Sequence, residues 1–467
     1  MKEDLGKNVL LLHAPIAQYT FGKKWRATKG LSPPLGLLYL GSPLLKVGYN
    51  VKFVDLNVDK LSRKEFLKII EAQDFILITC YTLTINNVKK IIQDIKEVNN
   101  KGVILCGGPH CNITQEYIEG SFITCIGEVE GYIVQILHLI ETKKPLEVIP
   151  GLIYKKDGEL VKNTGVMKIN NLDSSIFPAW ELLDKKKYGY IGNAQLDLAW
   201  IMSTRGCPFN CYFCARMLYS KYRERSVDNV VAELKSLVKQ GYKYIAFGDD
   251  NFLLNKNRVH EIMERIILEK INIKMAVQGR VDSADFNMFQ KMRKAGVIAI
   301  FFGIESANQD VLDFYNKKTT VEQGIEAIKT ANQAGLITIG FFIIGAPFET
   351  DKHIKQNLEY FNSVPLDLIS CYDLTYVVGT KLWKNAVKKG IIEKSELFVR
   401  ADKKTSNYSS EEISEIKNDL IKHFYKNPHR LLRVLYKALR LGELGLIYKG
   451  LLNVGAILSK MRGFTTV

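Results

Sequence analysis

Short apolar runs alternate with amphipathic stretches through the first third of the chain. The runs are rich in β-branched residues and the stretches repeat apolar positions every three or four residues, which indicates strands alternating with helices. This order predicts an α/β, flavodoxin-like (Rossmann-like) domain over residues 1–146, with helices on both faces of a parallel sheet. The predicted strands are 8–13, 51–56, 75–80, 103–106 and 122–126, and the helices are 35–46, 63–72, 84–98 and 130–141.

The alternation breaks over residues 147–196, where Pro and Gly turn signals predict a linker with one small hairpin. Six strand–helix units then fill residues 197–385. A closed eight-unit barrel typically takes about 250 residues, so six units predict a partial (β/α)6 barrel of the TIM type. Strand signals stop at residue 385, and residues 386–467 are predicted to form a helical C-terminal region. The predicted barrel strands are 199–203, 244–247, 274–278, 298–303, 338–344 and 368–375, with helices at 227–240, 256–269, 284–295, 311–315, 321–334 and 351–362.

Composition and charge narrow the class of protein without choosing a function. The chain has 467 residues, of which 47% are hydrophobic and 24% are charged, as in an ordinary globular protein. Its net charge of +16 favours anionic partners such as phosphorylated cofactors or a membrane surface. The sequence contains neither a secretory signal pattern nor a run of about 18 uncharged apolar residues, so we expect a cytoplasmic protein.

Three cysteines lie within eight residues, at Cys207, Cys211 and Cys214, in the spacing C-x₃-C-x₂-C. Thiolates are soft ligands that suit iron–sulfur clusters and zinc. A structural zinc site takes four ligands, and no fourth Cys or His stands nearby. Three thiolates on a [4Fe-4S] cluster would leave one iron open to a small ligand. We therefore predict that these cysteines bind such a cluster.

This loop, placed after the first strand of a partial barrel, resembles that of the radical S-adenosylmethionine superfamily. The resemblance implies an oxygen-sensitive enzyme whose open iron chelates S-adenosylmethionine, which is then cleaved to a 5′-deoxyadenosyl radical. It also extends to the string STRGC at 203–207 and to IGAPFET at 344–350, where Phe348 replaces a usual glycine. Asp249 and Asp250 as helix caps, and Glu305 as a carboxylate of the core rim, remain the simpler alternatives. The implied S-adenosylmethionine contacts are Phe213, Gly248, Asp249, Asp250, Gln278, Arg280, Glu305 and Ser306.

The first domain contains the strings SPPLGLLY at 32–39, VDL at 54–56, GGPH at 107–110 and GEVE at 127–130. With them it resembles the cobalamin-binding domain that precedes the barrel in one branch of that superfamily. It lacks the D-x-H-x-x-G motif, so the resemblance implies cobalamin bound without a protein histidine below the cobalt. We interpret His13 and His110 as structural rather than as cobalt ligands, and a cofactor-free flavodoxin-like domain is the alternative. The implied cobalamin contacts are Pro33, Leu35, Gly36, Thr79, Tyr81, Thr82, Gly107, Gly108, Pro109, His110, Gly127 and Glu128.

This domain pair most often methylates an unactivated carbon, so we predict a cobalamin-dependent methyltransferase. It would act on a small-molecule or lipid-like substrate, with flavodoxin or ferredoxin as reductant and without nucleic acid. The alternatives are a radical cyclase or carbon–carbon coupling enzyme of the anaerobic porphyrin cyclase type, and a corrinoid sensor or carrier without catalysis. A second cluster would resemble the methylthiotransferases; we interpret the remaining cysteines of the first domain as buried small residues instead. They are Cys80, Cys106, Cys111 and Cys125, while Tyr19, Trp25, Asp373 and Tyr376 are candidate substrate contacts that are more simply core or surface residues.

The end of the chain is basic and amphipathic. Arg430, Arg433, Lys437 and Arg440 share one helical face, and an apolar run follows at 444–458. One interpretation is an interfacial membrane helix whose basic residues meet anionic headgroups. The interpretation that we favour is a cap that packs leucines on the barrel and leaves the charges in water. The leucines of the opposite face are Leu431, Leu432, Leu435 and Leu439.

Overall fold

The computed structural model describes residues 6–16, 32–99, 101–191, 194–215 and 221–443. The chain divides into two compact units, Met1–Tyr190 and Ile191–Val467.

The first unit is a seven-stranded sheet with the strand order β2-β1-β3-β4-β5-β6-β7. Its first five strands are parallel, and their order is the 2-1-3-4-5 order of flavodoxin-like folds, as predicted. The strands are β1 (Asn8–His13), β2 (Asn50–Asp55), β3 (Phe75–Thr79), β4 (Val103–Gly107), β5 (Ile123–Cys125), β6 (Leu152–Lys156) and β7 (Glu159–Lys162). The helices are α1 (Leu35–Val47), α2 (Arg63–Glu71), α3 (Ile85–Val98), α4 (Pro109–Thr114) and α5 (Ile133–Glu141).

The apolar character of β1 follows from burial on both faces of the sheet. Val9 and Leu11 pack in one core cluster, whereas Leu10 and Leu12 pack in the other. Successive side chains of a strand point to opposite faces, so a strand covered by helices on both sides is apolar at every position.

The segment predicted as a linker belongs to the first unit as far as Tyr190. Strands β6 and β7 form the predicted hairpin, whose turn places Asp157 and Gly158 at positive φ. The hairpin adds two antiparallel strands to the edge of the sheet beside β5. Farther along, the Tyr188 hydroxyl donates to Asp55 Oδ2 at 2.8 Å. The division between the units therefore falls within the predicted linker, near its end.

The second unit is built on six parallel strands in the order β10-β13-β14-β15-β16-β17, which confirms the partial barrel. These strands are β10 (Leu198–Ile201), β13 (Tyr244–Phe247), β14 (Lys274–Arg280), β15 (Val297–Glu305), β16 (Ile337–Ile344) and β17 (Leu368–Asp373). The helices between them are α6 (Val227–Lys239), α7 (Lys256–Leu268), α8 (Phe286–Lys294), α9 (Gln309–Phe314), α10 (Val321–Gln333) and α11 (Asp351–Ser363). Short strands form three further pairs, namely β8 (Tyr190–Ile191) with β9 (Ala194–Gln195), β11 (Thr204–Arg205) with β12 (Arg223–Glu224), and β18 (Thr375–Val377) with β19 (Phe398–Arg400).

The C-terminal region is helical as predicted, but it also contains β19, which the sequence pattern missed. Its helices are α12 (Lys381–Lys388), α13 (Ser410–Tyr425) and α14 (Pro428–Leu441). No helix in the described ranges is both long and apolar enough to cross a membrane. The apolar run 444–458 lies outside the described residues.

Helix α14 caps the amino-terminal end of the barrel, but with the face opposite to the one we predicted. Arg430 and Lys437 are buried, and Lys437 Nζ donates to Asp367 Oδ2 at 2.6 Å and to the carbonyl of Leu336 at 2.7 Å. Arg433 Nε donates to Asp367 Oδ1 at 2.9 Å. Leu336 and Asp367 immediately precede β16 and β17. The basic face therefore supplies hydrogen-bond donors to a backbone carbonyl and a carboxylate at the starts of these strands. The apolar residues Leu432, Tyr436 and Leu439 face outward and are 58–63% exposed.

Candidate functional site

The cysteine loop follows the first barrel strand and is fixed by contacts with the segment after α9. The backbone N–H of Tyr212 donates to the carbonyl of Tyr315 at 2.9 Å, and Asn316 Nδ2 donates to the carbonyl of Asn210 at 2.8 Å. The rings of Phe213 and Tyr315 meet edge to face at 5.2 Å. These contacts hold the loop at the carboxyl end of the strands, where barrel enzymes place their sites.

The three cysteines of the loop are free thiols with solvent-accessible surface. Partial burial, with the nearby charges of Asp250 and Cys211 adding to it, raises the pKa of the Cys207 thiol. Within the described ranges, no three His, Cys, Asp or Glu side chains already stand at metal-binding spacing. The donor set itself, three soft thiols on one short loop, is the set that an iron–sulfur cluster takes. Their assignment as ligands remains a prediction that rests on the spacing.

Asp249 is buried and binds the backbone segment that leads into this loop. Its carboxylate accepts from the backbone N–H groups of Ser203 and Thr204, at 2.6 and 3.0 Å, and from the Ser203 hydroxyl. Burial raises the pKa of Asp249 to about 6 despite these bonds. With its oxygens turned to the chain, Asp249 fixes the path of the backbone that leads to Cys207. A direct contact of Asp249 with a cofactor remains a prediction, beside this structural role.

The neighbours of Asp249 remain candidates for cofactor contact. Asp250 is exposed, and its charge influences the pKa of the thiols of Cys207 and Cys214. Gly248 donates its N–H to the carbonyl of Ile201. Gln278 Nε2 donates to the carbonyl of Asp249 and so ties β14 to the same segment. Asp250 is thus the exposed carboxylate of this segment whose charge reaches the thiols.

A buried ion pair that the sequence did not predict joins Glu305 to Lys317. Lys317 Nζ lies 2.6 Å from Glu305 Oε1, and both residues are less than 9% exposed. Glu305 ends β15 with a positive φ of 67°, a conformation that residues other than glycine rarely adopt. A Cβ at Gly303 would lie 2.8 Å from Lys317 Nζ, so a side chain there would displace the ends of this pair. No sequence spacing pointed to Lys317, because helix α9 separates it from Glu305.

The predicted contact Ser306 and the unpredicted Glu349 are both held by local hydrogen bonds. Ser306 Oγ accepts from the backbone N–H and from Nδ2 of Asn308, both at 3.2 Å. Glu349, within the IGAPFET loop, accepts from the N–H groups of Gly345 and Ala346 at 2.6 and 3.1 Å, which shapes the loop. Glu349 is another position whose role only the fold reveals.

Arg280, at the end of β14, contacts the cysteine loop. Its Nη1 lies 3.8 Å from Cys211 Sγ, and its guanidinium lies 3.6 Å from the centre of the Phe209 ring. Nη2 donates to Asp282 Oδ2 at 2.8 Å and to the carbonyl of Lys317 at 2.7 Å. The predicted contact residue therefore touches a predicted cluster ligand.

In the first unit, glycines at the carboxyl edge of the sheet are required by the packing of the chain itself. Gly108 has φ 109°, and a Cβ there would lie 2.9 Å from Thr79 Oγ1. Gly127 has φ 114°, and a Cβ there would lie 2.6 Å from the backbone N of Met167. Glu128 is buried and accepts from the N–H of Ile169 at 2.6 Å. These residues shape the edge, and their contact with cobalamin remains a prediction.

Other predicted residues lie on this edge with surface available to a ligand. Tyr81 and Leu83 are 37% and 52% exposed, and the space around the Cβ position of Gly36 is open. Exposed apolar surface and an open glycine are each features that suit the flat face of a corrinoid ring. Thr82 Oγ1 lies 3.2 Å from His110 Nδ1, and burial keeps the pKa of His110 below its usual value. Thr79 ends β3, Gly107 ends β4, Pro109 begins α4, and Pro33 and Leu35 lie at the start of α1.

His13 also ends a strand at this edge and belongs to a polar group. Its Nδ1 lies 3.0 Å from Asp55 Oδ1, and its ring lies 5.8 Å from that of Tyr81. Asn57 Nδ2 donates to Asp55 Oδ1 at 2.9 Å. These partners are consistent with the structural role that we assigned to His13.

The candidate substrate contacts and the cysteines of the first unit remain to be placed in the fold. Tyr376 is buried and its hydroxyl donates to the carbonyl of Thr405 at 3.3 Å, and Asp373 pairs with Lys417. Tyr19 and Trp25 lie outside the described residues. The four cysteines of the first unit are buried within its apolar clusters.

The chain thus combines a flavodoxin-like domain, a fold that can bind corrinoids, with a partial barrel whose three-cysteine loop suits an iron–sulfur cluster. Residues 201–361 match the family model of the radical SAM superfamily, and residues 26–137 match that of the B12 binding domain. An uncharacterised methyltransferase of Pyrococcus horikoshii is 30% identical over 87% of this chain and 90% of its own. The chain belongs to the radical SAM superfamily and carries a B12-binding domain.

Two more relatives refine this assignment. The anaerobic magnesium-protoporphyrin IX monomethyl ester cyclase of Rubrivivax gelatinosus is 30% identical over 69% of this chain and 61% of its own. The radical S-adenosylmethionine methyltransferase TsrM of Kitasatospora setae, solved with cobalamin and a [4Fe-4S] cluster, has the same fold. Its TM-score is 0.66 at 17% identity, over 82% of this chain and 75% of that one.

This chain is therefore a cobalamin-dependent radical S-adenosylmethionine enzyme of the methyltransferase type. Its cofactors are a [4Fe-4S] cluster, S-adenosylmethionine and cobalamin.

Proposed function

We propose that this enzyme transfers a methyl group to an unactivated carbon of a small, largely apolar substrate. One observation carries the proposal: a single chain combines a cysteine loop at the carboxyl end of a six-stranded barrel with a B12-binding domain. When bound, these cofactors supply a substrate-activating radical and a methyl group. The similarity to proteins described as methyltransferases favours methyl transfer over ring closure.

The residues of the barrel bind and orient S-adenosylmethionine in this proposal. Asp250 takes the methionine amino group, because it is the exposed carboxylate beside the thiols. Glu305, oriented by Lys317, takes the ribose hydroxyls, and the backbone at Phe213 meets the adenine. A protein such as flavodoxin or ferredoxin delivers the electron, and the net charge of +16 favours an anionic donor.

The apolar substrate is inferred from a row of aromatic side chains on β15 to β17. Phe301 and Phe341 stack with centroids 5.5 Å apart, and Phe341 meets Tyr372 at 5.8 Å. The neighbour of Phe341 on the strand, Phe342, packs outward on Phe361 of α11. Because side chains alternate along a strand, Phe341 points to the inside of the barrel. Aromatic side chains there favour an aromatic, isoprenoid or other lipid-like substrate.

Counting products tests the reaction. The anaerobically reconstituted enzyme is incubated with methyl-labelled S-adenosylmethionine, a reductant and candidate substrates of this apolar class. Methyl transfer yields 5′-deoxyadenosine and S-adenosylhomocysteine together with a labelled product. Deoxyadenosine without S-adenosylhomocysteine would indicate cyclisation or coupling, and neither product would indicate a sensor or carrier.

Peripheral membrane contact belongs to the same proposal, and the outward apolar face of α14 favours it. Leu432, Tyr436 and Leu439 are exposed on one side of the helix, and an exposed apolar patch of this kind often marks an interaction site. The full chain should float with vesicles of phosphatidylcholine and phosphatidylglycerol, and changing these three residues to Ser should reduce flotation severalfold. Leu160→Ser, at a similarly exposed position, is the control. Equal flotation of all three proteins would leave α14 as a structural cap.

A further inference from the structure

Arg280 occupies an unusual place for a residue assigned to S-adenosylmethionine. It is 5% exposed, and one of its terminal nitrogens lies 3.8 Å from Cys211 Sγ, within reach of an N–H···S hydrogen bond. A guanidinium is a fixed positive charge with five N–H donors in one plane. Such a group beside a cluster ligand can act on the cluster itself.

The other contacts of Arg280 fix the direction of this donor. Nε donates to the Asp282 carboxylate at 3.1 Å, and Nη2 donates to the same carboxylate at 2.8 Å and to the carbonyl of Lys317 at 2.7 Å. The ring of Phe209 lies against the guanidinium at 3.6 Å. With Cys211 these partners engage four of the five N–H groups, so at most one N–H is left for another ligand.

We propose that Arg280 is a positioning residue for the cluster rather than a contact of S-adenosylmethionine. It holds Cys211 in place and, through charge and hydrogen bonding to the ligand sulfur, raises the reduction potential of the bound cluster. Hydrogen bonds to sulfur and nearby positive charge favour the more negative, reduced cluster. Asp282 opposes the charge of Arg280 and thereby moderates the effect.

The test is an EPR-monitored redox titration of the reconstituted enzyme without S-adenosylmethionine. Arg280→Met should lower the midpoint potential by an amount that makes the cluster about tenfold harder to reduce, or about 59 mV for one electron. Arg280→Lys keeps the positive charge but lacks the planar set of N–H donors, and it should lower the midpoint potential by less. Asp282→Asn should shift the potential upward. Arg265→Met, which removes an arginine from the outer face of α7, is the matched control and should leave the potential unchanged.

Iron content and circular dichroism accompany each titration. Arg280→Met with full iron and an unchanged potential would overturn the proposal, as would a normal potential combined with weaker S-adenosylmethionine binding. If Arg280→Met fails to retain iron, Arg280→Lys and Asp282→Asn decide the matter, and unshifted potentials in both would refute it. The inference depends on the cluster but not on methyl transfer, so its failure is distinct from that of the proposed reaction.

Discussion

The two ends of the barrel both bury charged side chains, but they use them differently. At the amino-terminal end, Asp367 is fully buried and pairs with both Arg433 and Lys437 of α14. At the carboxyl-terminal end, Arg280 pairs with Asp282 and Lys317 pairs with Glu305, but both cations also contact residues of the cysteine loop. The first network is closed within the protein, whereas the second borders the predicted cluster ligands.

This difference assigns the two networks separate tasks. Charges whose partners all come from the chain hold the fold together, and charges beside an accessible loop prepare a site. Barrel enzymes separate stability and catalysis between their ends in the same way. If the assignment is right, substitutions of Asp367 or its partners should change stability with little effect on the cofactors. Substitutions in the network of Arg280, Lys317 and Glu305 should do the opposite.

The largest expected effect is at the cysteine loop. Changing Cys207, Cys211 or Cys214 to Ala should abolish cluster iron and the formation of 5′-deoxyadenosine, because each removes one of three ligands. Cys371→Ala, on β17, should keep both and is the control. Iron analysis and product chromatography provide the measurements. Full iron in any one of the three variants would remove that cysteine from the ligand set.

At the opposite end, Asp367→Ala should destabilise the fold strongly. It leaves the charges of Arg433 and Lys437 without their carboxylate, and loss of one partner of a buried ion pair costs about 3–5 kcal/mol. Denaturant unfolding measures the loss, with the exposed Asp419→Ala as control. Iron per folded chain should stay at the wild-type level, and a loss of iron without a loss of stability would contradict the comparison.

The raised pKa of Asp249 should make the free energy of unfolding depend on pH. Its pKa is about 6 in the fold against 3.8 in the unfolded chain, so the folded state binds its proton more tightly. The stability it contributes is therefore fully present below about pH 4 and is lost as the pH rises through about 6, a change of about 3 kcal/mol. Unfolding of wild type and Asp249→Asn between pH 4 and 7 should show this difference. Parallel curves would mean that Asp249 keeps one charge state throughout.

A smaller effect is expected at Glu305. Glu305→Gln removes the charge that pairs with Lys317 and should weaken S-adenosylmethionine binding about tenfold, or by about 1.4 kcal/mol, while iron content stays normal. Isothermal titration calorimetry of the reconstituted protein measures this affinity, and Glu322→Gln on the surface of α10 is the control. Unchanged affinity in both Glu305→Gln and Asp250→Ala would refute the placement of this site.

The sequence by itself determined the elements and the chemistry of the cofactors. Strand β1 and strand β13 were predicted to the residue, and most other elements to within one or two residues. Alternating and helical periodicity are local properties, so a chain displays them before it folds. The C-x₃-C-x₂-C spacing is equally local, since three ligands on one short loop need no tertiary contact to be recognised.

Only the tertiary structure decided which groups meet across the fold. Periodicity showed that α14 has a basic and an apolar face, but the open carbonyls and Asp367 at the strand starts determined that the basic face turns inward. In the same way, only the fold pairs Lys317 with Glu305 and brings Asp249 into hydrogen bonding with Ser203, 46 residues away. A buried charge must be paired, and its partner is set by the packing of distant elements, which no local pattern records.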